Sequence, residues 1–191
     1  GVGASGGYYV AMAADEVIAH PATITGSIGV LFWGMNVTGL MEKIGVQDQT
    51  LKSGEFKDAG SWTREMKPEE RAQIQSVIDD FHGRFKSVVK AGRPNLTDEQ
   101  VEKAADGRIY SAEQARKLGL VDRIGHVDDA FSRMKQRIGA QDIQVVTYQR
   151  PGEYRGSIYT HIERNDIKVE TMNFGRKGME PGFYYLWMPA G

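Results

Sequence analysis

The first seven residues of the chain form a turn built almost entirely from small side chains, and this turn restricts the possible folds more than any other stretch. It reads GVGASGG, with Ser5 between two pairs of glycines. Glycine lets the backbone bend tightly and lets a ligand approach it closely. The apolar segment at residues 8–14 predicts a short buried helix, so Ser5 is expected beside N–H groups that have no partner within that helix. Those N–H groups and the helix dipole would stabilise an oxyanion that forms at Ser5.

Two other interpretations apply to the same turn. Ser5 can be an ordinary N-cap residue, which is a common position for serine, and this interpretation stays open. The glycines at positions 1, 3 and 6 also match the G-x-G-x-x-G pattern of dinucleotide-binding proteins. That pattern requires a preceding strand and an acidic residue roughly 20 positions further on. No strand is predicted before Gly1 and no acidic residue lies between Glu16 and Glu42, so the nucleotide interpretation is set aside.

Composition excludes several classes of protein. A chain of 191 residues with 40% apolar and 26% charged residues is typical of one globular domain. A net charge of −1 gives no reason to expect nucleic acid as a partner. Because the chain has no cysteine, disulfides, thiolate catalysis and cysteine–zinc sites are excluded. The longest apolar candidate, residues 27–35, is far shorter than the roughly 20 residues of a membrane span.

Short predicted strands alternate with predicted helices, which is typical of a layered α/β domain. The clearest element is a helix at residues 67–91, which has Pro68 in its first turn and apolar residues at helical spacing. A glycine-punctuated loop occupies residues 53–61. The other predicted helices cover residues 37–44, 98–105, 112–118 and 127–138, and the predicted strands cover residues 16–19, 23–31, 47–52 and 143–148.

The predicted domain boundary follows residue 149. Residues 1–149 are expected to form the folded domain. Residues 150–191 are expected to form an extended C-terminal tail, because they are rich in glycine and sustain no apolar period. The tail carries an aromatic patch, FYYLW, at residues 183–187. Such a patch packs on its own domain or docks on another subunit, and both interpretations stay open.

A nucleophilic serine needs a base, and the residues alone leave that choice open. None of the four histidines, at positions 20, 82, 126 and 161, is accompanied by a recognisable orienting motif, so each is interpreted as a surface or structural residue. Lysine can act as the base only if its surroundings lower its pKa from about 10.4 to near neutrality. Lys52 and Lys57 lie in or beside the glycine loop, although lysines at such positions are usually solvated.

Four motifs occur in a fixed order along the chain: ASGGYY at residues 4–9, TGSIGV at 25–30, KSGEFKD at 52–58, and GRIYSAEQA with LGLVD at 107–122. Together they resemble the signal peptide peptidase A family of bacterial serine proteases, from residue 1 to about residue 135. The last motif resembles a segment shared with the wider Clp protease/crotonase fold. The resemblance implies an α/β, Clp protease/crotonase-like layered fold with a parallel sheet and surrounding helices, whose N-terminal strands are missing from this chain.

The resemblance also implies a Ser–Lys dyad. Ser5 matches the family nucleophile and Lys57 matches the family base, which makes Lys52 a neighbour within the motif. Ser27 matches a serine that hydrogen-bonds and orients the catalytic lysine. The Gly6 N–H would donate to the oxyanion. No cofactor and no metal are implied.

The family further implies the substrate, the partners and the location. The substrate is a peptide, either a leftover signal peptide or another apolar peptide, and residues 30–33 either line a groove for it or belong to the core. The partners are further copies of the chain in a homo-oligomer, without nucleic acid. The implied location is the bacterial cell membrane, reached through a missing upstream segment.

Asp58 should point away from the amine of Lys57 if that amine is to be neutral.

Two functions from other classes remain as alternatives. A crotonase-like enzyme that acts on an acyl thioester would share the fold but would need no pairing of Ser5 with Lys57. A non-catalytic assembly subunit of the same fold would carry a Ser5 that reacts with no acylating probe.

Overall fold

The computed structural model describes residues 1–144 and the strand Gly182–Tyr184. These residues belong to two compact units: the first comprises Gly1–Val127 and that strand, and the second begins at Asp128. The rest of the predicted tail at residues 150–191 lies outside the described residues, as does most of the predicted strand at residues 143–148. Ile143 and Gln144, which are described, are not part of a strand.

Short strands form three small sheets in the described part of the chain. The strands are β1 (Val2–Ala4), β2 (Ile18–Ala19), β3 (Ile24–Gly26), β4 (Leu31–Trp33), β5 (Ile109–Ser111), β6 (Arg123–Ile124) and β7 (Gly182–Tyr184). β3 pairs in parallel with β1 and antiparallel with β5. β2 pairs in parallel with β6, and β4 pairs antiparallel with β7. The protein is therefore a mixed α/β structure. The expected parallel pairing occurs between β1 and β3 and between β2 and β6, while β5 and β7 pair antiparallel with their neighbours.

The helices follow the predictions more closely than the strands do. They are α1 (Gly6–Ala11), α2 (Thr38–Ile44), α3 (Pro68–Gly92), α4 (Asp98–Ala104), α5 (Ala112–Lys117) and α6 (Val127–Ile138). The prediction of a long helix at residues 67–91 is confirmed by α3, which begins at its proline and buries Ile74, Phe85 and Val89 on one face. The predicted helix at residues 8–14 begins two residues earlier, directly after Ser5, and ends three residues sooner.

The core of the first unit fixes the position of α1. Five large apolar side chains of this core are at most 1% exposed: Tyr8, Ile28, Phe85, Val89 and Leu120. α1 and α3 approach so closely that a Cβ atom at Gly92 would lie 2.7 Å from the carbonyl oxygen of Met12. A close-packed interior leaves no room for one helix to move against the other, so this contact holds α1 in place. The residue that precedes α1, Ser5, is held with it.

The predicted strand at residues 47–52 is wrong, because this segment is a loop. Asp48 accepts hydrogen bonds from the N–H and the hydroxyl of Thr50, at 2.8 and 2.5 Å, and from the hydroxyl of Thr63. These hydrogen bonds hold the pKa of the Asp48 carboxyl below its usual range. An aspartate that bonds the backbone two residues further on stabilises a turn in competition with a strand.

The predicted strand at residues 23–31 is interrupted in its middle. β3 ends at Gly26, and the next residue, Ser27, has a φ of 51°. An extended strand requires a negative φ, so the strand cannot continue through Ser27. The chain becomes a strand again only at Leu31.

Candidate active site

Ser5 occupies a sharp turn between β1 and α1. Its φ of 53° and ψ of −118° lie far from the conformations of both neighbouring elements. The Ser5 N–H donates to the carbonyl oxygen of Gly26 at 2.8 Å, and the Ser5 carbonyl oxygen accepts from the N–H of Tyr9 at 2.9 Å. A strand, a strained serine and a helix in direct succession form the geometry of a nucleophile elbow, which presents a serine hydroxyl at the end of a sheet.

The side chain of Ser5 is buried but makes no hydrogen bond to the described residues. Only 1% of Ser5 is exposed, and its Oγ atom has no partner there. The hydroxyl does not cap α1, so the geometry gives no support to the interpretation of Ser5 as an ordinary N-cap residue. A buried hydroxyl without a partner costs free energy, and native structures retain few such groups without a reason.

The Gly6 N–H stands next to this hydroxyl, at the first position of α1. It donates to no carbonyl oxygen within the described residues. The first N–H groups of a helix have no intrahelical acceptor, and they carry partial positive charge. The role of this N–H as a donor to an oxyanion stays a prediction.

Ser27 lies next to Ser5 because of the register between β1 and β3. The two strands run in parallel with Ala4 opposite Gly26, so Ser5 and Ser27 leave neighbouring strands at the same end. These serines are the two non-glycine residues with positive φ in the described chain. Ser27 is 7% exposed, and its N–H donates to the carbonyl oxygen of Arg108 at 2.8 Å. Strained residues of this kind cluster at functional sites.

Lys57 lies in an exposed turn of the loop between α2 and α3. Its N–H donates to the carbonyl oxygen of Gly54 at 3.1 Å, and its side chain is exposed. Within the described residues its ammonium makes no hydrogen bond or ion pair, and none joins it to the hydroxyl of Ser5. The strand register thus brings Ser5 and Ser27 together, whereas no hydrogen bond joins Lys57 to the Ser5 hydroxyl, so the assignment of Lys57 as the base stays a prediction.

The carboxylate of Asp58 is bound to two cations other than Lys57. The guanidinium of Arg64 donates to both of its oxygens at 2.8 Å, and Lys52 Nζ lies 2.7 Å from Oδ1. These two cations hold the pKa of Asp58 far below its usual range, the hydrogen bonds from Arg64 having the largest effect. This arrangement agrees with the expected separation of Asp58 from the Lys57 amine. Lys52, the other lysine considered as the base, therefore forms an ion pair with Asp58.

A cavity of about 360 Å³ lies beside β4 and the first half of α3. Its walls combine apolar side chains, among them Phe32, Met66 and Ile74, with an equal number of polar ones, among them Arg64 and Arg71. Phe32 belongs to the apolar run at residues 30–33, which was expected either to line a groove for the peptide or to belong to the core. The cavity is large enough for several apolar side chains of a peptide.

The histidines in the described chain have structural partners and make no hydrogen bond to Ser5. A hydrogen bond of 2.8 Å joins His82 Nε2 to the carbonyl oxygen of Ala105. His20 Nδ1 accepts from the N–H of Ala22, and the His20 ring packs edge-on against the ring of His126. These contacts agree with the interpretation of the histidines as structural, and His161 lies outside the described residues.

The described residues contain neither a candidate metal site nor a candidate membrane span. No group of three or more His, Asp or Glu side chains is placed to hold a metal ion. No helix there is long and apolar enough to cross a membrane.

Comparison with known proteins confirms the family. The chain is 50% identical over 129 residues to "Putative protease slr0021" of Synechocystis sp., an alignment that covers 68% of this chain and 46% of that protein. It is 43% identical over 146 residues to "Putative signal peptide peptidase SppA" of Enterococcus faecium, covering 76% of this chain and 42% of that one. It is 31% identical over 173 residues to "Serine protease SPPA, chloroplastic" of Arabidopsis thaliana, covering 88% and 25%. The chain thus spans less than half the length of these relatives.

The sequence model of one family, peptidase family S49, matches residues 1–141, which include β1, the elbow, the lysine loop and helices α1 to α6. A peptidase family supports a hydrolase of peptide bonds over the thioester enzyme considered above. This chain belongs to peptidase family S49.

Proposed function

We propose that the chain carries the catalytic residues of a serine endopeptidase that hydrolyses signal peptides or other apolar peptides with a Ser–Lys dyad. The observation that carries the proposal is the elbow, where a strained, buried Ser5 holds a hydroxyl without a partner beside the Gly6 N–H. Membership of a peptidase family supports attack of this hydroxyl on a peptide bond as the reaction. We also place the chain in the Clp protease/crotonase-like layered fold, on the basis of its motifs and the parallel pairing of β1 with β3 across α1.

In the proposed mechanism, Lys57 Nζ takes the hydroxyl proton while Ser5 Oγ attacks the carbonyl carbon of the scissile peptide bond. The carbonyl oxygen becomes negative and accepts a hydrogen bond from the Gly6 N–H. The intermediate collapses to an acyl-enzyme, and the amine product leaves with the proton that Lys57 held. Water, deprotonated by Lys57, then attacks the acyl carbon, and Ser5 Oγ leaves with the proton that Lys57 took from the water. Ser27 orients the amine of Lys57 without adding a charge that would favour its protonated form.

The exposed position of Lys57 leads to a proposal about assembly. The segment around it and the nearby helix α2 expose large apolar side chains: Leu51 is 97% exposed, Ile44 63%, Leu40 58% and Phe56 49%. Exposed apolar groups in this number favour burial against another protein surface. A homo-oligomer that covers this surface would also remove water from Lys57, and desolvation favours its neutral form.

We therefore expect the intact protein to be a homo-oligomer attached to the bacterial cell membrane through a segment outside this chain. After detergent extraction from membranes, it should sediment as a multiple of the monomer mass. Leu51→Glu should lower that mass, because it places a charge on apolar surface that the oligomer would bury. Leu118→Glu, at a residue that is also exposed, serves as the control. Recovery of a monomer, or of the protein in the soluble fraction, would contradict this proposal.

Cleavage of matched peptides tests the function itself. We expect the intact protein to cleave an apolar peptide with a kcat/KM at least about tenfold higher than that of a charged peptide of equal length, since burial of even one large apolar side chain contributes about 1.5–3 kcal/mol. Ser5→Ala should cleave neither peptide. Ser87→Ala, at an exposed position on α3, should cleave both as the wild type does. Equal turnover of the two peptides would refute the substrate class, and cleavage by Ser5→Ala would refute the nucleophile.

A further inference from the structure

Arg64 binds the residue that follows Lys57 through three of its hydrogen bonds. Its Nε and one terminal nitrogen donate to the two carboxylate oxygens of Asp58, each at 2.8 Å. The same terminal nitrogen donates to the carbonyl oxygen of Asp58 at 3.1 Å. A forked contact with a carboxylate, combined with a bond to the backbone of the same residue, fixes position and orientation together.

The other side of the Arg64 guanidinium binds a buried carboxylate at the start of α3. Glu70 is 0% exposed, and its two oxygens accept from the two terminal nitrogens of Arg64, one of these bonds being 2.9 Å long. Glu70 also accepts from the N–H of Lys67 at 3.1 Å, which ties it to the first turn of the helix. Phe85 and Val89 bury α3 in the core, so the position of Glu70 on this helix is held by the packing of the helix.

We propose that Arg64 is a positioning residue that clamps the Lys57 loop onto α3 by holding Asp58 against Glu70. Neither Arg64 nor Glu70 belongs to the motifs that predicted the site. The signal that could have found them is their spacing. Arg64 lies six residues after Asp58 and six before Glu70, and Glu70 lies in the first turn of the helix that begins at Pro68. The proposal rests on the proposed function, because it gives Lys57 the role of base.

The clamp has an electrostatic consequence as well as a geometric one. The charged groups around Asp58 are Lys52 and Arg64, with Glu70 behind the guanidinium and Asp48 further away. The remaining charged pair of the loop is formed by Glu55 and Lys67, whose charged atoms are 2.7 Å apart. While Arg64 occupies both oxygens of Asp58, that carboxylate is not available to the ammonium of Lys57. Without Arg64, Asp58 can turn to Lys57 and favour its protonated form, which is inactive as a base.

The experiment measures the rate at which a fluorophosphonate labels Ser5 in the intact protein across the pH range. In this reaction Ser5 Oγ displaces fluoride from phosphorus, and Lys57 accepts the serine proton. Arg64→Lys keeps the charge but cannot form the fork, and we expect labelling to be about 10- to 100-fold slower because the lysine loop is misplaced. The double variant Arg64→Gln/Glu70→Gln leaves no unpaired buried charge, and it should also move the pH midpoint of labelling upward, by about one pH unit.

Arg116→Lys and Arg116→Gln serve as matched controls, because Arg116 forms an exposed ion pair with Glu113 on α5. Both should label at the wild-type rate with the wild-type midpoint. Wild-type rates and midpoints in both Arg64 variants would overturn the proposal, and so would loss of folding in both variants, since the network would then be purely structural. Lys57→Ala and Lys57→Arg are labelled in the same experiment, and if they too label like the wild type, the dyad itself is wrong. If only the Lys57 variants are inactive, the clamp alone is wrong.

Discussion

Replacement of Lys57 by alanine in the intact protein is expected to slow acylation of Ser5 by about 10²- to 10⁴-fold, the usual contribution of a general base. The loss should occur in a folded protein, because the Lys57 side chain is exposed and makes no hydrogen bond or ion pair to the described residues. Lys57→Arg should be equally slow, since a guanidinium stays protonated and cannot accept a proton. The measurement is labelling of Ser5 by a fluorophosphonate, followed by mass spectrometry of the intact protein.

The pH dependence and the second lysine sharpen this test. A lysine base is active when it has lost its proton, so the wild-type rate should rise with increasing pH, and the Lys57 variants should lose this rise. Lys52→Ala should cost much less, because Lys52 is bound to Asp58 and to the carbonyl oxygen of Glu55. A wild-type rate in Lys57→Arg, or a loss confined to Lys52→Ala, would show that Lys57 is not the base.

Gly26→Ala is expected to cause the largest loss of stability among single substitutions near the elbow. Gly26 has a φ of +82°, which costs an alanine about 1–2 kcal/mol. An added Cβ atom would also lie 2.5 Å from the ring of Tyr110 and 3.0 Å from the carbonyl oxygen of Arg108. Overpacking of this kind typically costs about 1–3 kcal/mol more. Because the Gly26 carbonyl oxygen accepts the N–H of Ser5, labelling of Ser5 should fall as well.

Gly107→Ala separates the two causes. Gly107 has a φ of +89°, but a Cβ atom there would meet nothing within 4 Å. This variant should therefore lose only about 1–2 kcal/mol from the backbone conformation. Urea unfolding of the two variants and of the wild type gives the comparison. Equal losses of stability in both variants would contradict the close packing of Gly26 against Tyr110.

The helices of this protein were predictable because their signals are local. α3 begins at a proline and carries apolar residues at helical spacing, so its limits lie within one residue of the prediction. α4 and α5 are each preceded by a residue whose side chain caps the helix, Thr97 and Ser111. The side-chain oxygen of the glutamine three residues later accepts from the N–H of the cap residue. Signals of this kind act between residues that are close in sequence, so they are visible before any tertiary contact forms.

The strands were less predictable because their partners are distant in sequence. β1 and β5 have three residues each, which is too short for an alternating pattern, and neither was predicted. Both become strands by pairing with β3, in one case across about 20 residues and in the other across about 85. The opposite error arose at residues 47–52, where Asp48 bonds its own neighbourhood and turns the chain away from a strand.

The order of the motifs along the chain and the local signals for helices were enough to predict the family and the helices. The roles of Ser5, Gly6, Ser27 and Lys57 stay predictions. The tertiary structure alone decided that Ser5 and Ser27 lie side by side, since only the register of Ala4 opposite Gly26 brings together two serines 22 positions apart. It also decided that Asp58 binds Arg64 and Lys52 instead of the lysine beside it. The physical reason is that the strength of an ion pair depends on the distance between the charges in space. The buried Glu70 holds the guanidinium of Arg64 within hydrogen-bond distance of Asp58.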